Sequence, residues 1–313
     1  MLNKKLSYLM VALTFGATFF TSCGDKDEDD KNGSSQTNVT NKNANLVGAD
    51  ETVARIEMPH LNSQHDYICH KLSNGDVNYT LEYDRSKLHA RWVAYTYDTK
   101  NAQKNYSTRT NAWDGEPFYD GLMQYQVTVQ TFKGYQRGHI VGSAERYYSQ
   151  EANEQTFYMS NMSPMIGAFN DTYWGEVEDL VRDNWGRGVI NQKSDFYGGT
   201  LYVVKGGTLD QLNTTITVKN TLGDNVQMAV PKYYWIACLF VSSTGTMKAI
   251  GFWVEHKNYN NTSTSFLSTF ARNHACSIDE LEEKTGLDFF CNVPDNAEEL
   301  VEANYNISQW SGL

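Results

Sequence analysis

Lys133-Gly134-Tyr135-Gln136-Arg137-Gly138-His139-Ile140-Val141-Gly142-Ser143-Ala144-Glu145-Arg146 is the stretch around which this 313-residue chain is read. Strand-forming residues run up to Phe132, and Lys133 to His139 then reads as a turn with its own glycines. A histidine on such a turn keeps a near-neutral pKa and accepts a proton from water. Arg137 and the permissive Gly138 flank it, and Asn170, Trp174, Glu178 and Arg182 follow further on, each four residues from the last. At about 100° per residue each step advances about 40°, so these four form one slanting stripe roughly 18 Å long. Each half has an ordinary structural explanation. A lone histidine often serves packing, and a Glu178–Arg182 pair on a solvated helix face is worth only a few tenths of a kcal/mol. Together they offer a general base, an oxygen ligand for a hard cation, a carboxylate and guanidiniums, the parts needed to cut a phosphodiester.

Outward from this stretch, short runs rich in β-branched and aromatic residues recur. They are Tyr79–Tyr83, Trp92–Tyr97, Gln124–Phe132 and Leu201–Val204, then Thr215–Val218, Val226–Val230, Tyr233–Val241 and Ala249–Val254. Polar or glycine-containing turns separate most of them, and the regular strand–helix alternation of a parallel sheet is missing. The pattern predicts an α+β fold, a largely antiparallel central sheet with helices packed on it. A helix is expected over Asn170–Trp185, where Tyr173, Trp174, Val177, Leu180, Val181 and Trp185 keep helical spacing. Ser265–Asn273 is a weaker candidate. Ser277–Thr285 opens on a capping box, Ser277 with Glu280, and stops before Gly286.

The amino terminus reads as an export signal over residues 1–22. Lys4 and Lys5 precede an uncharged, mostly apolar run from Leu6 to Phe20, too short for the roughly 20 apolar residues of a comfortable membrane span. Phe20-Thr21-Ser22-Cys23 resembles a bacterial lipobox, with lipid attachment at Cys23 and anchoring to the outer membrane, facing the periplasm or the exterior. Ordinary signal cleavage with a free Cys23 is the alternative. Residues 23–47 read as a disordered acidic and polar tether, and residues 48–313 as one domain. The acidic run after Cys23 resembles surface-export signals of some lipoproteins and equally reads as a solvated spacer. Removing residues 1–22 takes away only Lys4 and Lys5, so the net charge of −11 becomes −13. That sign excludes a broad basic grip on nucleic acid, and any phosphate chemistry must rely on local arginines and a metal. Cys69, Cys238, Cys276 and Cys291 remain. Export permits disulfides among them, Cys238 also fits a small core residue, and spacing does not assign a pairing.

The segment Gly134–Arg146 resembles the signature of the DNA/RNA non-specific endonucleases, the ββα-metal or His-Me finger nucleases. Tyr158–Pro164, the Asn170/Trp174/Glu178/Arg182 series and the tail Ile278–Phe290 fit the same family, so the likeness covers about residues 70–305. The resemblance implies a ββα-metal finger active site and cleavage of DNA and RNA with a divalent cation, Mg²⁺ with Mn²⁺ as a substitute. It implies His139 as general base and Asn170 as the direct ligand of the ion, with Glu178 reaching the ion through water. Arg182 and the more loosely aligned Arg109 would bind substrate phosphate, and Arg137 would help neutralise the transition state. Gln136 stands where the family usually has Asp, Gly142 where Pro is common, and Glu145 where Asp is usual. The Gln136 departure and the negative charge leave two other readings: an inactive nucleic-acid-binding lipoprotein on the same scaffold, and a phosphodiesterase for small substrates.

Overall fold

The computed structural model describes residues 40–48 and 50–313. The export signal, Cys23 and the tether up to residue 39 lie outside the described residues. The first strands are β1 (Asp66–Lys71), β2 (Val77–Asp84), β3 (His89–Tyr97), β4 (Gln136–His139) and β5 (Met162–Met165). After them come β6 (Thr200–Gly207), β7 (Leu212–Lys219), β8 (Asn225–Pro231), β9 (Tyr233–Val241), β10 (Met247–Glu255) and the short β11 (Ala275–Cys276). Seven of these form one sheet in the order β1-β2-β3-β6-β9-β10-β11, antiparallel at every pairing. The β4–β5 and β7–β8 pairs stand apart from it. The expected antiparallel α+β architecture is what the chain adopts.

Both faces of the large sheet are covered, which explains why β9 reads as an almost unbroken apolar run. Its Tyr234, Ile236, Cys238 and Phe240 join the core on one face with Trp174, Val177, Val181 and Trp185. Its Trp235, Ala237 and Leu239 face the other way and pack with Ile278, Leu281, Phe289 and Val293. Of the capping box expected at the Ile278–Thr285 helix one half forms: Ser277 accepts from the Glu280 backbone N–H while the Glu280 carboxylate takes Lys284, and Gly286 ends the helix at φ +63° as its position predicts.

Several elements differ from expectation. Gln124–Phe132 forms no strand. It crosses the end of the β7–β8 hairpin through a single bridge, Val127 to Asn220, with Thr128 N donating to Lys219 O at 3.1 Å. Its alternating pattern is satisfied there by burying Val127 and Phe132 among Met159, Met162, Val218 and Met228. β1 carries no strand signal in the sequence because its edge residues, Asp-Tyr-Ile-Cys-His-Lys, are largely polar. Ser265–Asn273 breaks into two short helices, Thr264–Leu267 and Phe270–Asn273. Residues 40–47, read as the end of the tether, lie against the domain instead. Buried Asn45 donates to Val53 O and Pro59 O and accepts from Leu61 N, so amide side chains rather than apolar ones hold this segment. All four described cysteines are free thiols, and Cys238 is the buried core residue its strand context predicted.

Candidate active site

The turn expected over Lys133–His139 is shorter than the sequence suggests. Gly134 turns the chain at φ +82°, and Gln136–His139 is already strand β4. β4 runs antiparallel to β5 with His139 opposite Met162 and Gly138 opposite Ser163. Gly138 is required here, because a Cβ would sit 2.2 Å from Met165 Sδ. A helical run over residues 169–186 follows, completing a β–β–helix unit. It is α-helical only at Gly175–Asp179, with π-helical turns at Phe169–Trp174 and Leu180–Gly186. Those wider turns revise the four-residue stripe. Asn170, Glu178 and Arg182 face a common cavity, while Trp174 turns into the core against Phe169 and Tyr234.

That cavity, about 580 Å³, brings together the six residues of the folded part for which the family resemblance implies a role: Arg109, Arg137, His139, Asn170, Glu178 and Arg182. His139 is only 8% exposed and packs edge-on against Phe157 at 4.8 Å, with Trp113 at 5.5 Å. Its Nε2 has no protein partner among the described residues. The near-neutral pKa expected of it does not hold. Burial, then Arg109, Arg137 and Lys205, push it down to about 3, so the ring is neutral throughout the physiological range. The Arg137 guanidinium lies 3.6 Å over the Trp113 ring, and Arg109 lies 4.7 Å over Phe157. Aromatic faces thus hold two arginines beside the histidine without consuming their N–H donors.

The Glu178–Arg182 pair does not form. Arg182 is held at 2.6 Å by both Asp179 and Asp183, and Glu178 pairs instead with Lys205. Lys205 is fully buried and also donates to both oxygens of Glu145, at 3.1 and 3.0 Å. Burial would lower its pKa, but Glu145 and Glu178 hold it above the ordinary lysine value. Burial pushes Glu178 up to about 7 against the pull of Lys205. Lys205 was missed by the sequence reading. Its one signal is a charged residue directly following the apolar run Leu201–Val204 in a strand.

Gln136 has a definite task. Its Nε2 donates to Asp171 Oδ2 at 2.6 Å, and its Oε1 accepts from Asn170 Nδ2 at 2.7 Å. A carboxylate only accepts, so Asp171 fixes which end of the Gln136 amide faces Asn170. Asn170 must then present its NH₂ to Gln136, leaving Oδ1 without a protein donor among the described residues. The oxygen-only set of Asn170 Oδ1 and the Glu178 carboxylate fits a hard divalent cation, since Mg²⁺ needs few protein oxygens.

A sequence profile of the DNA/RNA non-specific endonuclease family matches residues 69–296. The chain is 29% identical over 231 residues to a nuclease of Nostoc sp., spanning 72% of this chain and 75% of that protein. It is 26% identical over 219 residues to the mitochondrial endonuclease G of Caenorhabditis elegans, spanning 69% of this chain and 67% of that protein. Among solved structures, the EndoG/EndoGI complex superposes with a TM-score of 0.51 at 18% identity, over 72% of this chain and 86% of that one, a likeness of fold. The match over most of the folded part shows that this chain belongs to the DNA/RNA non-specific endonuclease family.

Proposed function

We propose that this protein hydrolyses phosphodiester bonds within DNA and RNA with a divalent cation, Mg²⁺ first and Mn²⁺ as a substitute. The observation that carries the reading is one cavity with His139 Nε2 free, Asn170 Oδ1 free and three arginines around them. His139, neutral, takes the proton from the attacking water. Arg109 and Arg137 meet the phosphate oxygens, and Arg182, braced by Asp179 and Asp183, offers its remaining donors to the same strand. Asn170 Oδ1 would hold the cation, with Glu178 approaching it through water. When bound, the ion neutralises charge that builds on the leaving oxygen. Contacts to phosphate read no base edges, which supports cleavage with little sequence preference.

Gln136 supplies the same acceptor to Asn170 that a carboxylate would, which removes the main argument for an inactive scaffold. The decisive experiment is plasmid and RNA degradation in Mg²⁺. EDTA should abolish it, and His139→Ala should lower the rate by about 10²–10⁴-fold. Full activity of that variant would refute the mechanism. The sequence around Cys23 supports export and lipid anchoring at the outer membrane. Palmitate labelling of the protein, lost in Cys23→Ala, is the expected result, and unchanged labelling would refute the attachment site.

A further inference from the structure

On the sheet face opposite the catalytic cavity, two helices and the loop between them gather acids with little to balance them. Asp279 and Glu282 stand three residues apart on the Ile278–Thr285 helix, and Glu298 and Glu302 four apart on the Asp295–Glu302 helix. Together with Asp288 they belong to a pocket of about 470 Å³ walled by seven carboxylates and a single ammonium, that of Lys42. One oxygen each from Asp279, Glu282 and Glu302 lie within 4.8 Å of one another.

Acidic clusters are common on surfaces, but Glu302 is not a surface residue. It is only 5% exposed, and its Oε1 is buried with no hydrogen-bond partner among the described residues. The other five buried acids each have a donor. Glu57 has Arg55, Glu82 has Asn62 N, Glu116 has Ser160, Glu145 has Lys205 and Glu298 has Asn43. A buried carboxylate without a donor costs several kcal/mol unless a cation or a proton joins it. Asn43 adds a second sign. Its Nδ2 donates to Asp288 and Glu298 at 3.2 Å, and its Oδ1 is buried at the pocket without a partner among the described residues.

We propose that Asp279, Glu282 and Glu302 bind a structural Ca²⁺ ion at a site separate from the catalytic cavity. All three ligands are oxygens, the seven carboxylates of the pocket offer the many oxygens that Ca²⁺ takes, and its flexible shell tolerates further oxygens from Asp288 or Asn43. The ion would clamp the two helices together. It would also brace the segment over residues 40–48, whose Asn41 and Lys42 already bond to Val293 O and Asp295 beside the pocket.

The test is calorimetric titration of CaCl₂ into the metal-stripped full chain carrying Asn170→Ala, which removes the catalytic ligand. One Ca²⁺ should bind, at least about tenfold more tightly than Mg²⁺, with Tm rising by about 5 °C or more at a hundredfold excess over Kd. Adding Glu302→Gln, equal in shape, should weaken binding at least tenfold and abolish the rise. Asp279→Asn, at an exposed position that cannot compromise the core, should weaken it likewise. No Ca²⁺ binding to the Asn170→Ala chain would mean that protons fill the pocket, and would overturn the proposal. Binding unchanged by Glu302→Gln and Asp279→Asn, or equal affinity for Mg²⁺, would overturn it as well.

Discussion

Gln136 carries two hydrogen bonds of opposite polarity, and the negative partner decides the rest. Because Asp171 takes the NH₂ end, the carbonyl end must receive Asn170, and the Asn170 oxygen is turned to the cavity. Gln136→Leu removes that orientation without touching Asn170, the proposed ligand, so apparent Mg²⁺ affinity should fall about 10–100-fold. The rate at saturating Mg²⁺ should move far less. An equal loss at every Mg²⁺ concentration in a cleavage titration would show that Gln136 does something other than aim Asn170. Lys205 makes a different kind of contribution. Lys205→Met would leave Glu145 and Glu178 facing each other inside the protein, a loss of about 3–5 kcal/mol, readable as a lowered urea midpoint. Five of the six cavity residues were legible in the sequence because they sit in two dense local motifs, Arg137 and His139 in one and Asn170, Glu178 and Arg182 in the other, whereas Arg109 was reached only through a looser alignment. Lys205, Gln136's partners and the depressed pKa of His139 were not, because they depend on residues far along the chain or on burial.

Among elements, the finger strands and the helix after them were each half legible. Helical spacing identified a helix over Asn170–Trp185, but spacing drawn on a uniform α-helix placed Trp174 on the polar stripe. The π turns instead let Trp174 enter the core while Asn170, Glu178 and Arg182 keep the cavity side. Strand β4 was hidden because Gln-Arg-Gly-His has no strand propensity; it is held by pairing with β5 and not by its own residues. The tightness of that pairing is testable. Gly138→Ala would drive a methyl into fully buried Met165, whose Cγ and Cβ lie 2.4 and 3.0 Å from the new atom. The strands must part to admit it, costing about 1–3 kcal/mol and displacing His139. Cleavage should drop with stability, and adding Met165→Ala should restore part of both. A single variant with wild-type activity and midpoint would show that the strands are not this closely packed.

At the scale of the whole molecule, two neutral histidines tie the catalytic finger to the sheet. His89 on β3 meets Ser163 Oγ of β5 at 2.6 Å through Nε2. His256, just beyond β10, accepts from Ile166 N at 2.7 Å through Nε2 and donates to Pro231 O at 2.9 Å through Nδ1. Because Ile166 N–H can only donate, a doubly protonated His256 cannot keep that bond. Burial lowers both imidazoles to about 4. Their folded values lie below the unfolded value of about 6.5, so the native state binds fewer protons in that window. The stability that neutrality provides is therefore fully present above about pH 6.5 and is lost as pH falls toward 4. Each histidine contributes up to about 1.4 kcal/mol per pH unit there. Urea unfolding at pH 7, 6 and 5 should show the decline, and His256→Gln should flatten it by up to that amount per unit. The Gln amide keeps an acceptor for Ile166 N–H but has no proton to gain. If the slope of the His256→Gln protein matched that of the parent, the docking of the finger would not depend on this imidazole staying neutral.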